Sequence, residues 1–105
     1  MATVEAKQRA RRKHHLKEKF GISPEQYETQ LKIQNGVCAV CKRPDDQAKN
    51  RRLSVDHDHE TKEIRGVLCG ACNRAIGLMY DSPELLREAA LYLESTEYRV
   101  LRKVA

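Results

Sequence analysis

The residues able to do chemistry are concentrated in two places: the paired knuckles C-A-V-C (38–41) and C-G-A-C (69–72), and the run S-V-D-H-D-H-E (54–60) between them. In each knuckle, two cysteines three positions apart can turn both thiolates into one pocket. Together Cys38, Cys41, Cys69 and Cys72 complete a tetrahedron of the kind that holds Zn²⁺. A redox pair, a disulfide framework or unrelated buried thiols are the alternatives, and two matched knuckles favour zinc over each of them. The separation between the knuckles is longer than in a simple ribbon, as an inserted hairpin would make it. With four protein ligands such a site is closed, and therefore structural.

Asp56 and His57 fall inside that hairpin, and Asn73 directly follows the last cysteine. A carboxylate and a carboxamide oxygen are hard donors suited to Mg²⁺, with water completing its shell. A neutral imidazole beside them can take a proton from water. These are the groups that phosphodiester hydrolysis uses: a base to generate hydroxide, and a cation to bear charge on the phosphate and the departing oxygen. Strict strand alternation puts Asp56 and His57 on opposite faces. One phosphate can meet both only if the backbone bends there or the metal sits at the strand's edge.

The elements that must position these groups are legible from local signals. Residues 51–69 predict two short strands around a turn near Thr61 and Lys62, with Leu53 and Val55 alternating on the way in and Ile64, Val67 and Leu68 on the way out. Upstream, S-P-E-Q-Y-E-T-Q-L-K-I-Q-N-G (23–36) predicts a helix with an S-x-x-Q capping box, Pro24 in its first turn and a left-handed stop at Asn35-Gly36. Tyr27 and Leu31 share one of its faces. A short helix is expected from about Ala71, with Gly77 near its end. A longer one is capped by Asp81 or Ser82, with Leu85, Leu86, Ala89, Ala90 and Leu93 as its inner face.

The first segment, K-Q-R-A-R-R-K-H-H-L-K-E-K-F (7–20), has Glu18 as its only acid and no Pro or Gly. It reads as a helix from about Val4 to Phe20 closed by Gly21, or as a solvated basic arm. Leu16 and Phe20 would give it a small buried stripe, and His14 and His15 belong to its basic surface.

At 105 residues this is one domain, with a formal charge of +5, a third of its residues charged, one Phe and no Trp. So basic a chain favours a polyanionic partner, most simply nucleic acid. So little apolar material calls for a staple besides the core. No apolar run is long enough for a bilayer and no signal peptide opens the chain, so no membrane association is expected. A reducing cytosol, where cysteines bind metals, is the expected setting.

The run from G-I-S-P-E-Q-Y-E-T-Q-L-K-I-Q-N-G-V-C-A-V-C through V-D-H-D-H-E-T-K-E-I-R-G-V-L-C-G-A-C-N resembles the recombination endonuclease VII family, a zinc-clipped branch of the HNH or ββα-metal nucleases typical of phages. The resemblance covers roughly residues 20 to 80. It implies a small zinc-stabilised α+β fold with a ββα-metal (His-Me finger) core and flanking helices. It also implies a metal-dependent DNA endonuclease, acting in the host cytoplasm if phage-encoded. Carried over by motif, Asp56 and Asn73 hold the catalytic Mg²⁺ or Mn²⁺, His57 is the general base and His59 supports the site. Arg65, in R-G-V-L-C, is a phosphate contact or a structural ion pair; Arg9, Arg11, Arg12 and Lys13 are the DNA-binding residues of the basic segment. Two departures stand out: Ile76 where some relatives carry an acid, and E-T-K-E in a turn where relatives commonly have glycine. The expected division is a basic helix or arm (1–20), a nuclease domain with its C-terminal helix (21–96) and a tail (97–105). Tyr98, Val100 and Leu101 are left over for pairing, so a homodimer is a candidate assembly. The rival reading is a non-catalytic zinc module that binds nucleic acid through its basic helix; a zinc-stabilised protein adaptor is a third.

Overall fold

The computed structural model describes residues 3–46 and 52–101. Four helices and one two-stranded sheet follow one another as α1 (Val4–Phe20), α2 (Pro24–Ile33), β1 (Ser54–His57), β2 (Ile64–Leu68), α3 (Gly70–Leu78) and α4 (Pro83–Glu94). The chain separates into two compact units, Met1–Asn73 and Arg74–Ala105. This is the small α+β architecture expected.

In the first unit the basic segment is a helix. Thr3 caps it by accepting from the Ala6 amide at 3.0 Å. Gly21 ends it in the left-handed region (φ 69°), its N–H reaching Lys17 O at 2.9 Å while Ile22 N reaches Leu16 O at 3.3 Å. The Gly21 bond is the single closure of an αL cap, in a conformation that a residue with a Cβ would strain. Leu16 is the one residue of α1 that is buried. The capping box of α2 is complete, with Gln26 N donating to Ser23 Oγ at 3.1 Å and Ser23 N to Gln26 Oε1 at 2.8 Å. Asn35 and Gly36 stop the helix at φ 58° and 74°.

The core consists of Leu16, Tyr27, Leu31, Cys38, Leu53, Val55, Val67 and Leu68. It forms where α2 and the strands bury their apolar faces together. Tyr27 is fully enclosed and donates its hydroxyl to the Leu53 carbonyl. Burial, and next the negative charge of Asp45, raise its pKa, because both disfavour a phenolate.

The strands are antiparallel, with Ser54 opposite Leu68, Val55 opposite Val67 and Asp56 opposite Gly66. The register then slips: His57 faces Ile64, and Arg65 is the extra residue of a β-bulge. The turn closes with Lys62 N donating to Asp58 O and Asp58 N to Glu63 O, both at 2.8 Å. Lys62 sits at φ 67°, the place where a glycine would be unstrained. The Asp58 carboxylate accepts from the Glu60 and Thr61 amides at 2.8 and 3.0 Å. Those donors, Thr61 first, lower its pKa.

The outer edge of β2 is closed by a side chain. Gln34 accepts from Val67 N at 2.9 Å and donates to Val67 O at 2.8 Å and to Val37 O at 2.9 Å. Gln30 donates to the same Gln34 oxygen at 2.9 Å, which fixes the amide's orientation. A Cβ on Gly66 would come within 3.0 Å of that oxygen. Glycine in R-G-V-L-C therefore permits the amide to lie over the strand.

In the second unit, Ser82 caps α4 through Leu85 N at 3.1 Å. The anticipated inner face of α4 is only partly covered. Leu86 and Ala89 are half-buried, Ala90 is exposed, and Leu85 and Leu93 are 41% and 71% exposed. The physical reason is that α4 has no buried residue at all, so its apolar side chains meet no enclosing layer among the described residues.

Candidate active site

The cysteines come together. Their four Sγ atoms all lie within 4.8 Å of one another, and Cys41 Sγ is 3.6 Å from Cys69 Sγ. A tetrahedron with metal–sulfur bonds of about 2.3 Å has edges of about 3.8 Å, so the cluster has the dimensions of a tetrathiolate metal site. Local backbone shapes each knuckle: Cys38 N donates to Arg43 O at 2.8 Å, and Lys42 turns the loop at φ 66°. Backbone amides also point at sulfur, Val40 N at Cys38 and Cys72 N at Cys69, each at 3.4 Å. Burial works against a Cys38 thiolate, but the amide donors around it outweigh burial and bring its pKa down to about 6. The Cys72 thiol is pushed up to about 12 by burial and by the neighbouring sulfurs, Cys69 first. Four thiolates this close repel one another, and a divalent cation is what allows all of them to ionise. Among the described residues this is the sole cluster of three or more His, Cys, Asp and Glu side chains close enough to hold a metal.

Asp56, His57, His59 and Arg65 all belong to the hairpin. The bulge places its extra residue, Arg65, on β2 across from the step between Asp56 and His57, and bends that strand there. Both Asp56 oxygens are taken by Arg65, Nε to Oδ2 at 2.8 Å and Nη2 to Oδ1 at 3.0 Å. The Asp56 side chain is 13% exposed and that of Arg65 35%. Of the two readings of Arg65, the structure has the ion pair. The His57 ring lies 4.9 Å from that of His59 and meets Phe20 edge-on at 5.6 Å.

Asn73 is held near the start of α3, its amide donating to Cys69 O at 3.0 Å. Asn73 lines a cleft that also takes in Ser54 and Val55 of β1 and Arg12, His15, Lys19 and Phe20 of α1. Asp56 and His57 do not line this cleft. Arg9, Arg11 and Lys13 are exposed on α1, whereas Arg12 is half-buried, its guanidinium 4.3 Å from the centroid of the Tyr27 ring.

Several residues near the site escaped the sequence reading. Phe20 was expected only as core, yet it is the ring against His57, and His15 adds an edge contact to Phe20 at 6.1 Å. Gln34 carries no local signature for clamping a strand edge. Arg52, paired with Glu28 at 2.8 Å and lying 5.2 Å from the Tyr27 ring centroid, likewise has no motif to announce it.

The ββα arrangement of this hairpin and helix is shared with the type II restriction endonuclease Hpy99I, a ββα-Me enzyme of known crystal structure. The TM-score is 0.52 and the sequence identity 27%, over 66% of this chain and 42% of that one. Two phage proteins are similar in sequence over 75 residues, 70% of this chain: the Gene 59 protein of Mycobacterium phage D29 at 44% identity and that of phage L5 at 40%. Each match covers 44% of the phage protein, so the chain corresponds to less than half of these relatives. The family model for recombination endonuclease VII matches residues 13–95, spanning the second half of α1, the other three helices, both knuckles and the hairpin. The chain belongs to the recombination endonuclease VII family.

Proposed function

We propose that the chain is a metal-dependent DNA endonuclease of the HNH type, cutting phosphodiester bonds through a one-metal site. The observation that carries this reading is the ββα order itself, with Asp56 and His57 at the end of β1 and Asn73 near the start of α3, an arrangement like that of a ββα-Me endonuclease. Zinc is the cation that suits four thiolates at these separations, and its role here is structural. Asp56 and Asn73 offer one carboxylate and one carboxamide oxygen, a donor set that fits Mg²⁺ or Mn²⁺. When bound there, such an ion supplies charge stabilisation for the phosphate and the leaving oxygen.

The chain's own groups do the rest. His57 accepts a proton from the attacking water, and the Phe20 edge and His59 ring restrict how its imidazole can turn. Arg65, one residue away in the bulge, can transfer its fork from Asp56 to a phosphate oxygen, which its planar donors match. Arg9, Arg11 and Lys13 supply sequence-independent attraction to the backbone. In this reading residues 1–20 are the DNA-binding helix, 21–96 the nuclease body and 97–105 a tail. The exposed Leu91, Tyr92 and Leu93, with Tyr98, Val100 and Leu101, suit a homodimer. The phage relatives suit action in a host cytoplasm.

Purified, zinc-loaded protein is expected to nick or linearise plasmid with Mg²⁺ or Mn²⁺, and His57→Ala to lose at least about 10²-fold, as for a general base. If the wild type leaves plasmid, four-way junction, nicked duplex and single strand all intact, the chain is instead a binding module.

A further inference from the structure

Arg12 differs from the other basic residues of α1. Its guanidinium lies against the Tyr27 ring, and its Nη2 is buried without a hydrogen-bond partner. Folds rarely leave a buried charged donor unmade, and the ring face beside it offers π density but no lone pair. The Tyr27 hydroxyl donates to Leu53, and the guanidinium hydrogen-bonded to it is that of Arg52, not Arg12. Arg12 lines a cleft, so a small turn of its guanidinium would bring that donor to an acceptor on a ligand bound there.

The cleft at Arg12 has the composition such a ligand needs. Its volume is about 270 Å³, and Arg12, His15, Lys19, Ser54 and Asn73 supply its polar wall. No carboxylate is among the described residues that line it. That volume is below the range for drug-sized ligands, yet ample for one tetrahedral anion with part of its sugar. The cleft also adjoins the site already described: Asn73 is on its wall, and Phe20, which lines it, is in edge contact with His57 at 5.6 Å.

We propose that this cleft binds one backbone phosphate of the strand being cut, adjacent to the scissile linkage, with Arg12 as its principal donor and Lys19 as a second charge. The identity of the strand rests on the endonuclease reading; the anion site does not. Arg12 thereby fixes the register of the backbone against His57, whereas the exposed Arg9, Arg11 and Lys13 contribute attraction that is independent of register.

Two measurements test this. In the first, DNA affinity is followed against salt in a His57→Ala background. Arg12→Gln is expected to weaken binding about 10-fold and to flatten the salt slope by about one. In the second, single neutral methylphosphonates are placed along an end-labelled strand and cleavage is mapped at each bond. With the parent protein, one neutral linkage beside a given bond is expected to suppress its cleavage about 10-fold; with Arg12→Gln it should cause no further loss. Lys19→Gln, at an exposed position, is expected to weaken the same interference and serves if Arg12→Gln does not fold. An unchanged salt slope together with unchanged interference in both variants would overturn the site. If wild type cuts nothing while Arg12→Gln still flattens the slope, the endonuclease reading falls and the anion site stands. If wild type cuts normally and the variants match it in both measurements, only the anion site falls.

Discussion

Arg65 occupies both oxygens of the carboxylate proposed to hold the catalytic cation. A cation arriving at Asp56 must compete with that guanidinium, so the pair sets how much divalent metal the site needs. A partly exposed ion pair is worth about 1 kcal/mol, which corresponds to about fivefold in an equilibrium constant. Arg65→Ala is therefore expected to lower the Mn²⁺ concentration for half-maximal cleavage about fivefold, while raising KM for DNA through the lost phosphate contact. If metal titrations of wild type and variant coincide and only KM rises, Arg65 serves the phosphate and does not govern the cation. Asp56, His57 and Asn73 could be singled out as candidates because their positions are tied to cysteines whose spacing is itself a signal. The partners of those residues were not legible. Phe20 reaches His57 from a helix far upstream in the chain, and no periodicity within either element announces a contact made by the packing of one on the other.

At the scale of elements, the parts that local chemistry determines were readable in advance. The capping box at Ser23, the stop at Asn35-Gly36 and the closure at Gly21 each depend on a few neighbouring residues. The bulge at Arg65 was not readable, because it arises from how two strands align. The Gln34 clamp was not readable either, since one amide side chain from α2 replaces a missing strand along β2. That clamp is the mechanical link between the helix preceding the first knuckle and the strand leading to the second. Gln34→Ala would leave the Val67 N–H without its acceptor in a half-buried setting, a defect that costs about 2 kcal/mol. The expected result is a lower denaturant midpoint with an unchanged m-value, and faster exchange of the Val67 amide. A midpoint equal to that of wild type would mean that water replaces the clamp without loss.

On the scale of the molecule, the buried side chains among the described residues fall between Leu16 and Leu68, and no side chain of residues 74–101 joins them. Among the described residues eight, one of them the candidate ligand Cys38, make a thin core for a chain that is one-third charged. Zinc held by four cysteines contributes about 10–16 kcal/mol of apparent binding energy in small domains, comparable with the roughly 5–15 kcal/mol by which whole proteins are stable. The ion would tie the loop after α2 to the junction of β2 and α3, where Cys38, Cys41, Cys69 and Cys72 converge. Without it, sulfurs with affinities for protons as different as those of Cys38, near 6, and Cys72, near 12, are left to repel or share protons. Strong chelation at neutral pH is therefore expected to abolish the cooperative thermal transition of the first unit and the exchange protection of Val55 and Val67, and added zinc should restore both. Replacing Cys41 by Ser should reproduce the loss in the presence of zinc. Protection of Val67 that survives complete removal of the metal would show that the core and the Gln34 clamp suffice to hold the hairpin, and that the cysteine cluster tunes the fold without being needed to form it.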